Sequence, residues 1–240
     1  MQVSLSNWPA VGKYLEKRST VIVPLGSTEQ HGPNGLLGTD YLIAEHIAAE
    51  LGARTGIMVA PVLPYGMSVH HMGFPGTMTL RPSTYQMVVI DLLSGLIGHG
   101  FSKFFLVNGH GGNIASIQNA MAELSMEEEF EYALVSWWTE PDIKELCEEL
   151  FDGRDGHHGS AGEISMTMHL HPDAVEPMDS PWKEDASDPG WTYNPAGFRK
   201  MYPNGLIKSD PSLSTARHGA VLFQKIIDIY LDRIARFERG

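Results

Sequence analysis

Short apolar runs recur along this chain, each closed by a glycine or proline and followed by residues at helical spacing, and this alternation limits the fold more than any other feature. Residues 20–25 (TVIVPL) read as a buried strand that stops at Gly26. Residues 40–53 place Leu42, Ile43, Ile47 and Leu51 on one helical face, with Asp40 in the position of an N-cap. Residues 57–61 and 103–107 predict two more strands, and 132–138 a fourth. Helices are predicted over 82–99, where Pro82 opens the first turn and Gly100 follows the end, and over 114–129, 142–151, 161–169 and 215–238. The β-α-β-α order predicts an α/β layered domain with a largely parallel sheet. Residues 172–214 lack periodicity and carry many prolines together with Trp182, Trp191, Tyr193 and Tyr202, the pattern of a segment that covers a site or packs on a partner. No repeat and no composition break divides the chain, so residues 1–240 are read as one domain.

Composition narrows the function classes. Asp and Glu number 29 against 17 Lys and Arg, a formal charge of −12, so the chain meets phosphates with like charge; neither nucleic acid nor an anionic membrane is an expected partner. The one cysteine, Cys147, can form no internal disulfide, which fits a reducing compartment. The first seven residues lack the basic and apolar regions of a signal peptide, and no apolar run approaches the ~20 residues that span a bilayer. A cytoplasmic protein is the expectation.

The chemistry-bearing residues follow predicted strands, where open α/β sheets place their sites. After the first strand comes Gly26-Ser27-Thr28-Glu29-Gln30-His31-Gly32-Pro33. Glu29 and His31 are two apart, so an extended chain turns both to one side, a carboxylate and an imidazole suited to a divalent metal. Asp40 follows nine residues later. After the third strand, Asn108-Gly109-His110-Gly111-Gly112-Asn113 sets three glycines around a histidine; it matches neither the dinucleotide fingerprint nor the P-loop, and no lysine follows. A third cluster, residues 155–165, is rich in histidine and glycine and leads into a helix at Glu163, with His158 one loop back as a candidate proton shuttle. A fourth, residues 64–77, is a long Gly/Pro loop placed to line a pocket. Singly, each cluster reads equally as loop charges, a helix cap or surface histidines. Together they offer carboxylates and histidines without cysteine, a donor set for Zn²⁺, Mn²⁺ or a mixed pair, with Asp40 able to bridge two ions. Trp137 and Trp138, at a strand end, are candidates for an aromatic pocket wall or for core.

Four motifs, PLGSTEQHGPNGLLGTD (24–40), PYGMSVHHMGFPGTMTL (64–80), NGHGGN (108–113) and HGSAGEIS (158–165), resemble in kind and order those of the creatininase family of metal-dependent amidohydrolases. The resemblance implies an α/β/α sandwich, two divalent ions (Zn and/or Mn), hydrolysis of a C–N bond in a small amide, with creatinine to creatine as the prototype, and a homo-oligomer, often a hexamer. It implies metal ligands at Glu29, His31, Asp40 (bridging), His110 and Glu163, and His158 as proton donor. Ser68, His70, His71, Gly111 and Gly112 fall where the family contacts substrate. Creatinine-cleaving members carry a motif more like NGHYEN, so Gly111 and Gly112 replace a tyrosine and a ligating glutamate, and His70-His71 stands where Glu-His is common. Relatives of this kind include a formamide hydrolase acting on a pyrimidine nucleotide and a peptide-maturing peptidase, and both remain open alternatives, as does a non-catalytic metal-binding protein.

Overall fold

The computed structural model describes residues 1–178 and 192–239. Four parallel strands, β1 (Thr20–Leu25), β2 (Met58–Val59), β3 (Lys103–Asn108) and β4 (Glu131–Val135), form a sheet in the order β2-β1-β3-β4. Eight helices accompany them among the described residues: α1 (Trp8–Leu15), α2 (Thr39–Thr55), α3 (Pro82–Gly98), α4 (Ile114–Leu124), α5 (Pro141–Phe151), α6 (Ala161–Leu170), α7 (Pro195–Met201) and α8 (Ala216–Arg239). None is long and apolar enough to cross a membrane.

The sheet is buried on both faces because its strands are apolar at successive positions. Val21, Val23, Leu25, Phe104 and Leu106 pack on one side with Tyr85, Val89 and Leu93 of α3 and Ile117 and Met121 of α4. Ile22, Phe105 and Val107 pack on the other with Ile43, Ile47 and Leu51 of α2, Met166 of α6, and Leu222, Ile226 and Tyr230 of α8. This is the α/β/α sandwich that the resemblance implies, with the parallel sheet that the β-α-β-α order predicts. The helix directions follow from chirality. The chain moves outward from β1 to β2 through α2, then crosses back through α3 to β3 on the other side of β1. Right-handed crossovers taken in opposite directions put α2 and α3 on opposite faces. A crevice therefore opens between the carboxyl ends of β1 and β3, the switch point at which such sheets hold their ligands.

Several boundaries differ from the sequence reading, among them β2, which is confined to Met58–Val59 of the predicted 57–61. The helix after β1 starts at Thr39 with Gly38 before it, so Asp40 lies inside the first turn and its carboxylate is free for other use. Helix α4 ends at Leu124, short of the predicted 129, because residues 127–129 are glutamates that would repel the helix's own C-terminal dipole. Strand β4 ends at Val135, and Trp137–Thr139 form a 3-10 turn. Within the aperiodic stretch 172–214, α7 forms with Asn194 as its cap and Pro195 at its start. Trp182 and Trp191 lie outside the described residues.

Candidate metal centre

The loops leaving β1 and β3 and the start of α6 bring five predicted ligands together. Three triads have donor atoms within 4.8 Å of one another: Glu29, His31 and His158; Glu29, Asp40 and His110; and His31, Asp40 and Glu163. Asp40 stands between the two outer histidines. Its Oδ1 is 2.9 Å from His31 Nε2 and its Oδ2 is 3.1 Å from His110 Nδ1. Glu29 Oε1 is 3.3 Å from His110 Nδ1, and Glu163 Oε1 is 3.9 Å from His31 Nε2.

Backbone carbonyls fix which nitrogen each histidine turns inward. His31 Nδ1–H donates to the Glu29 carbonyl at 3.1 Å, which leaves Nε2 facing Asp40. His110 Nε2–H donates to the Met67 carbonyl at 3.0 Å, which leaves Nδ1 facing Glu29 and Asp40. Metal-ligating histidines are oriented in this manner. The glycines admit the approach. A Cβ on Gly109 would lie 2.1 Å from the Asp40 carbonyl oxygen, so only glycine lets β3 close on α2 here. Glu163 serves two purposes with its two oxygens. Its Oε2 accepts from Ser160 N–H at 2.8 Å while Ser160 Oγ accepts from Glu163 N–H at 3.1 Å, a capping box that starts α6 and leaves Oε1 facing His31.

The electrostatics call for a cation. Three carboxylates converge at one point, and Glu29 and Asp40 are almost wholly buried. Burial works to raise the pKa of Asp40, but His31 outweighs it and holds the carboxyl at about 2. Burial likewise opposes ionisation of Glu29, and His110 with His71 overrides it, so its pKa lies below the usual carboxylate range. In return the His31 pKa, which burial would lower, is driven up to about 10 chiefly by Asp40, and that of His110 is raised well above 6.5 chiefly by Glu29. Glu163 is pushed up to about 7 by burial, with Asp40 adding to it. Without a metal, protons on His31 and His110 supply the positive charge. His31 Nε2 and Asp40 Oδ2 are nevertheless buried with no hydrogen bond of normal geometry. Facing unsatisfied donor atoms, an all-O/N ligand set and no cysteine fit a hard or borderline divalent ion.

The centre lies at the base of a cavity of about 890 Å³, lined by Glu29, Asp40, His70, His71, Gly111, Gly112, His158 and Glu163 and, further out, by Trp137, Trp138, Lys144, Tyr193, Tyr202 and Lys208. Trp137 belongs both to this wall and to the apolar core. Ser68 is displaced from its expected position: it is fully buried beneath His110, 2.5 Å from Ser27 Oγ and 3.4 Å from His110 Nε2, and it does not line the cavity. His158 stacks on His71 at 4.1 Å and approaches Glu29 Oε1 at 3.7 Å through Nδ1; burial lowers its pKa to about 3. Two contributors escaped the sequence reading. Residues 205–210 run antiparallel to 154–158, with His157 N–H to the Ile207 carbonyl at 2.8 Å and Ile207 N–H to the His158 carbonyl at 3.1 Å. Gln30, between two candidate ligands in sequence, reaches across to His71 and to this strap. Its place inside the Glu-Gln-His run was the available signal.

A family model described as creatinine amidohydrolase (Creatininase) matches residues 4–234. The chain is 29% identical over 235 residues to a mycofactocin precursor peptide peptidase of Mycolicibacterium smegmatis, covering 91% of this chain and 85% of that one. It is 31% identical over 171 residues to a creatinine amidohydrolase of Pseudomonas putida, covering 65% and 66%. A manganese form of creatininase superposes with a TM-score of 0.84 at 24% identity, over 100% of this chain and 99% of that one. A Zn-Zn form of a creatininase mutant superposes at 0.83 and 23%, over 100% and 98%.

Proposed function

The chain belongs to the creatininase family, whose members are hydrolases of C–N bonds, and from that premise we propose that it is a dinuclear metal-dependent amidohydrolase with the centre described above as its active site. The observation that carries the proposal is the position of Asp40, with one oxygen toward His31 and the other toward His110, and with membership of both the triad that holds Glu163 and the triad that holds Glu29. One ion would be held by His31, Asp40 and Glu163, and a second by Glu29, Asp40 and His110. Ions there would polarise the amide carbonyl and lower the pKa of a nucleophilic water toward neutrality. Glu163 takes the place of the ligand that Gly112 lacks.

The chain's own residues do the rest. His158 is neutral at physiological pH and directs Nδ1 into the site, so it accepts the proton of the attacking water and returns it to the leaving nitrogen. The loop 109–112 brings the substrate carbonyl close to the ligands. The cavity wall sets the substrate class. Creatinine is the prototype for the family, but a volume of about 890 Å³ is far more than so small a ring fills, and its outer wall offers aromatic rings and two lysines. These features favour an amide in a larger substrate, and a short peptide is the reading that also suits the relative named as a peptide peptidase.

The test is a metal count followed by a substrate panel. Metal-free protein is reloaded with Zn²⁺ or Mn²⁺ and offered creatinine, a formamide and short peptides. Two ions per chain and turnover of a peptide support the proposal. Turnover of creatinine alone would return the substrate to the prototype, and failure to bind any divalent ion would overturn the centre itself.

A further inference from the structure

We propose that Gln30 is a positioning residue that sets the two stacked imidazoles of the site in opposite senses, His71 presenting an N–H and His158 a lone pair. Its catalytic consequence rests on the amidohydrolase reading above, whereas the arrangement is legible in the hydrogen bonds themselves.

The Gln30 side chain is buried, and the backbone fixes its amide at both ends. Gly32 N–H donates to Oε1 at 2.9 Å, and Nε2 donates to the Gly205 carbonyl at 3.0 Å. Turned over, the amide would set its NH₂ against the Gly32 N–H and its oxygen against the Gly205 carbonyl, leaving buried groups unpaired. One amide hydrogen is thus committed to Gly205. The other faces two imidazole nitrogens, His71 Nδ1 at 2.8 Å and His158 Nε2 at 2.9 Å. His158 Nε2 also lies 2.7 Å from the Gln30 backbone carbonyl, which can only accept. That nitrogen therefore carries a hydrogen, donates it to the carbonyl and cannot accept another. The second amide hydrogen goes to His71 Nδ1, which must be a lone pair. A neutral imidazole carries one N–H, so the proton of His71 sits on Nε2, 3.5 Å from Glu29 Oε1, and the lone pair of His158 sits on Nδ1, 3.7 Å from the same oxygen.

The alternative is self-defeating. A His71 protonated on Nδ1 would set that hydrogen against the amide hydrogen of Gln30 and leave both buried N–H groups without an acceptor. Ring rotation is blocked as well, because His71 is stacked on His158 at 23° between planes and meets Phe198 edge-on at 4.8 Å. Gln30 thereby divides the labour. His158 begins the cycle able to accept a proton, and His71 holds a hydrogen on the oxygen side of the site.

The test reads the tautomers directly. Long-range ¹H–¹⁵N correlation spectra of the Zn²⁺-loaded, histidine-labelled full chain show which ring nitrogen bears the proton, with His71→Gln and His158→Gln used to assign the signals. Wild-type protein should carry the proton on Nε2 in both rings. Gln30→Glu keeps the Gly32 contact but replaces the amide hydrogens with an acceptor, so His71 should carry a proton on Nδ1 in place of the lone pair while His158 does not change. In that variant kcat should fall about tenfold or more at unchanged zinc content, with KM within about twofold. Gln30→Met is the second variant, and there His71 should lose its single tautomer with the same fall in kcat. A wild-type His71 protonated on Nδ1 overturns the proposal outright. A switched tautomer with unchanged kcat overturns its catalytic part. Wild-type protein inactive on every amide tested would count against the amidohydrolase reading, while the spectra still decide the arrangement.

Discussion

A single methyl group tests the metal centre. In Gly112→Ala the new Cβ would lie 2.4 Å from the Met67 carbonyl oxygen and 2.5 Å from His110 Nε2. Both atoms belong to one hydrogen bond, the one that turns His110 Nδ1 toward Glu29 and Asp40. The imidazole is the movable partner, and to regain ordinary contact at 3.4 Å it must recede by roughly 0.9 Å, several times the ~0.2 Å tolerance of a metal–ligand bond. Overpacking of this kind costs about 1–3 kcal/mol of stability, which urea unfolding of the chelated protein will show. The larger effect should fall on the ion proposed for Glu29, Asp40 and His110. Elemental analysis after dialysis should find that ion lost and the one held by His31, Asp40 and Glu163 retained. Displacement of a catalytic ligand by nearly an ångström should lower kcat/KM by about 10² or more. A Gly112→Ala protein with full metal content and wild-type turnover refutes the reasoning, because His110 would then reach the metal without the space that glycine leaves.

Three further outcomes follow from the same geometry. His158→Ala should retain its metal and lose about 10²–10⁴ in rate, the range for removing a general acid–base group; loss of an ion instead would make His158 a ligand. Glu163→Gln should keep the capping box, since an amide oxygen can still accept from Ser160 N–H, yet bind one ion more weakly by calorimetry; unchanged affinity would remove Glu163 from the ligand set. In chelated protein the His31 pKa stands raised, at about 10 against an ordinary 6.5. The stability this contributes is fully present below about pH 6.5 and is lost as pH rises toward 10, so urea midpoints should fall over that window; a flat or rising profile would show that His31 is not held protonated by Asp40.

The strands were legible because Val21, Ile22 and Val23, and Phe104, Phe105 and Leu106, are apolar without alternation, which only a sheet covered on both faces accepts. The ligand loops were legible because polar residues and glycines follow those strands directly. Asp40 reads both as a cap, the common use of an acid before an apolar helical face, and as a bridging carboxylate; the cap reading fails because Gly38 precedes the helix and the carboxylate faces two histidines. Helices α1 and α7 were missed although each opens on an asparagine cap followed within two residues by proline; eight and seven residues are too few for periodicity to show. Gln30 had only its place between Glu29 and His31 to mark it, and the 205–210 strap left no trace. Their contact spans 175 residues and ends on a backbone carbonyl, so nothing in the identity of residue 205 reports the acceptor.

Three carboxylates at one point, two of them buried and the third half-buried, oppose folding, and each is brought there by a different part of the chain: Glu29 by the loop after β1, Asp40 by the first turn of α2, Glu163 by the capped start of α6. Their mutual repulsion is tolerated for two reasons. The apolar layers on both faces of the sheet supply the folding free energy, so the site need not stabilise the protein. His31 and His110, oriented by backbone carbonyls, take up protons and neutralise the carboxylates while no metal is present. A divalent ion held by the proposed ligands would take the place of those protons. Loading releases those protons, so affinity must rise with pH through the range in which His31 and His110 would otherwise hold them.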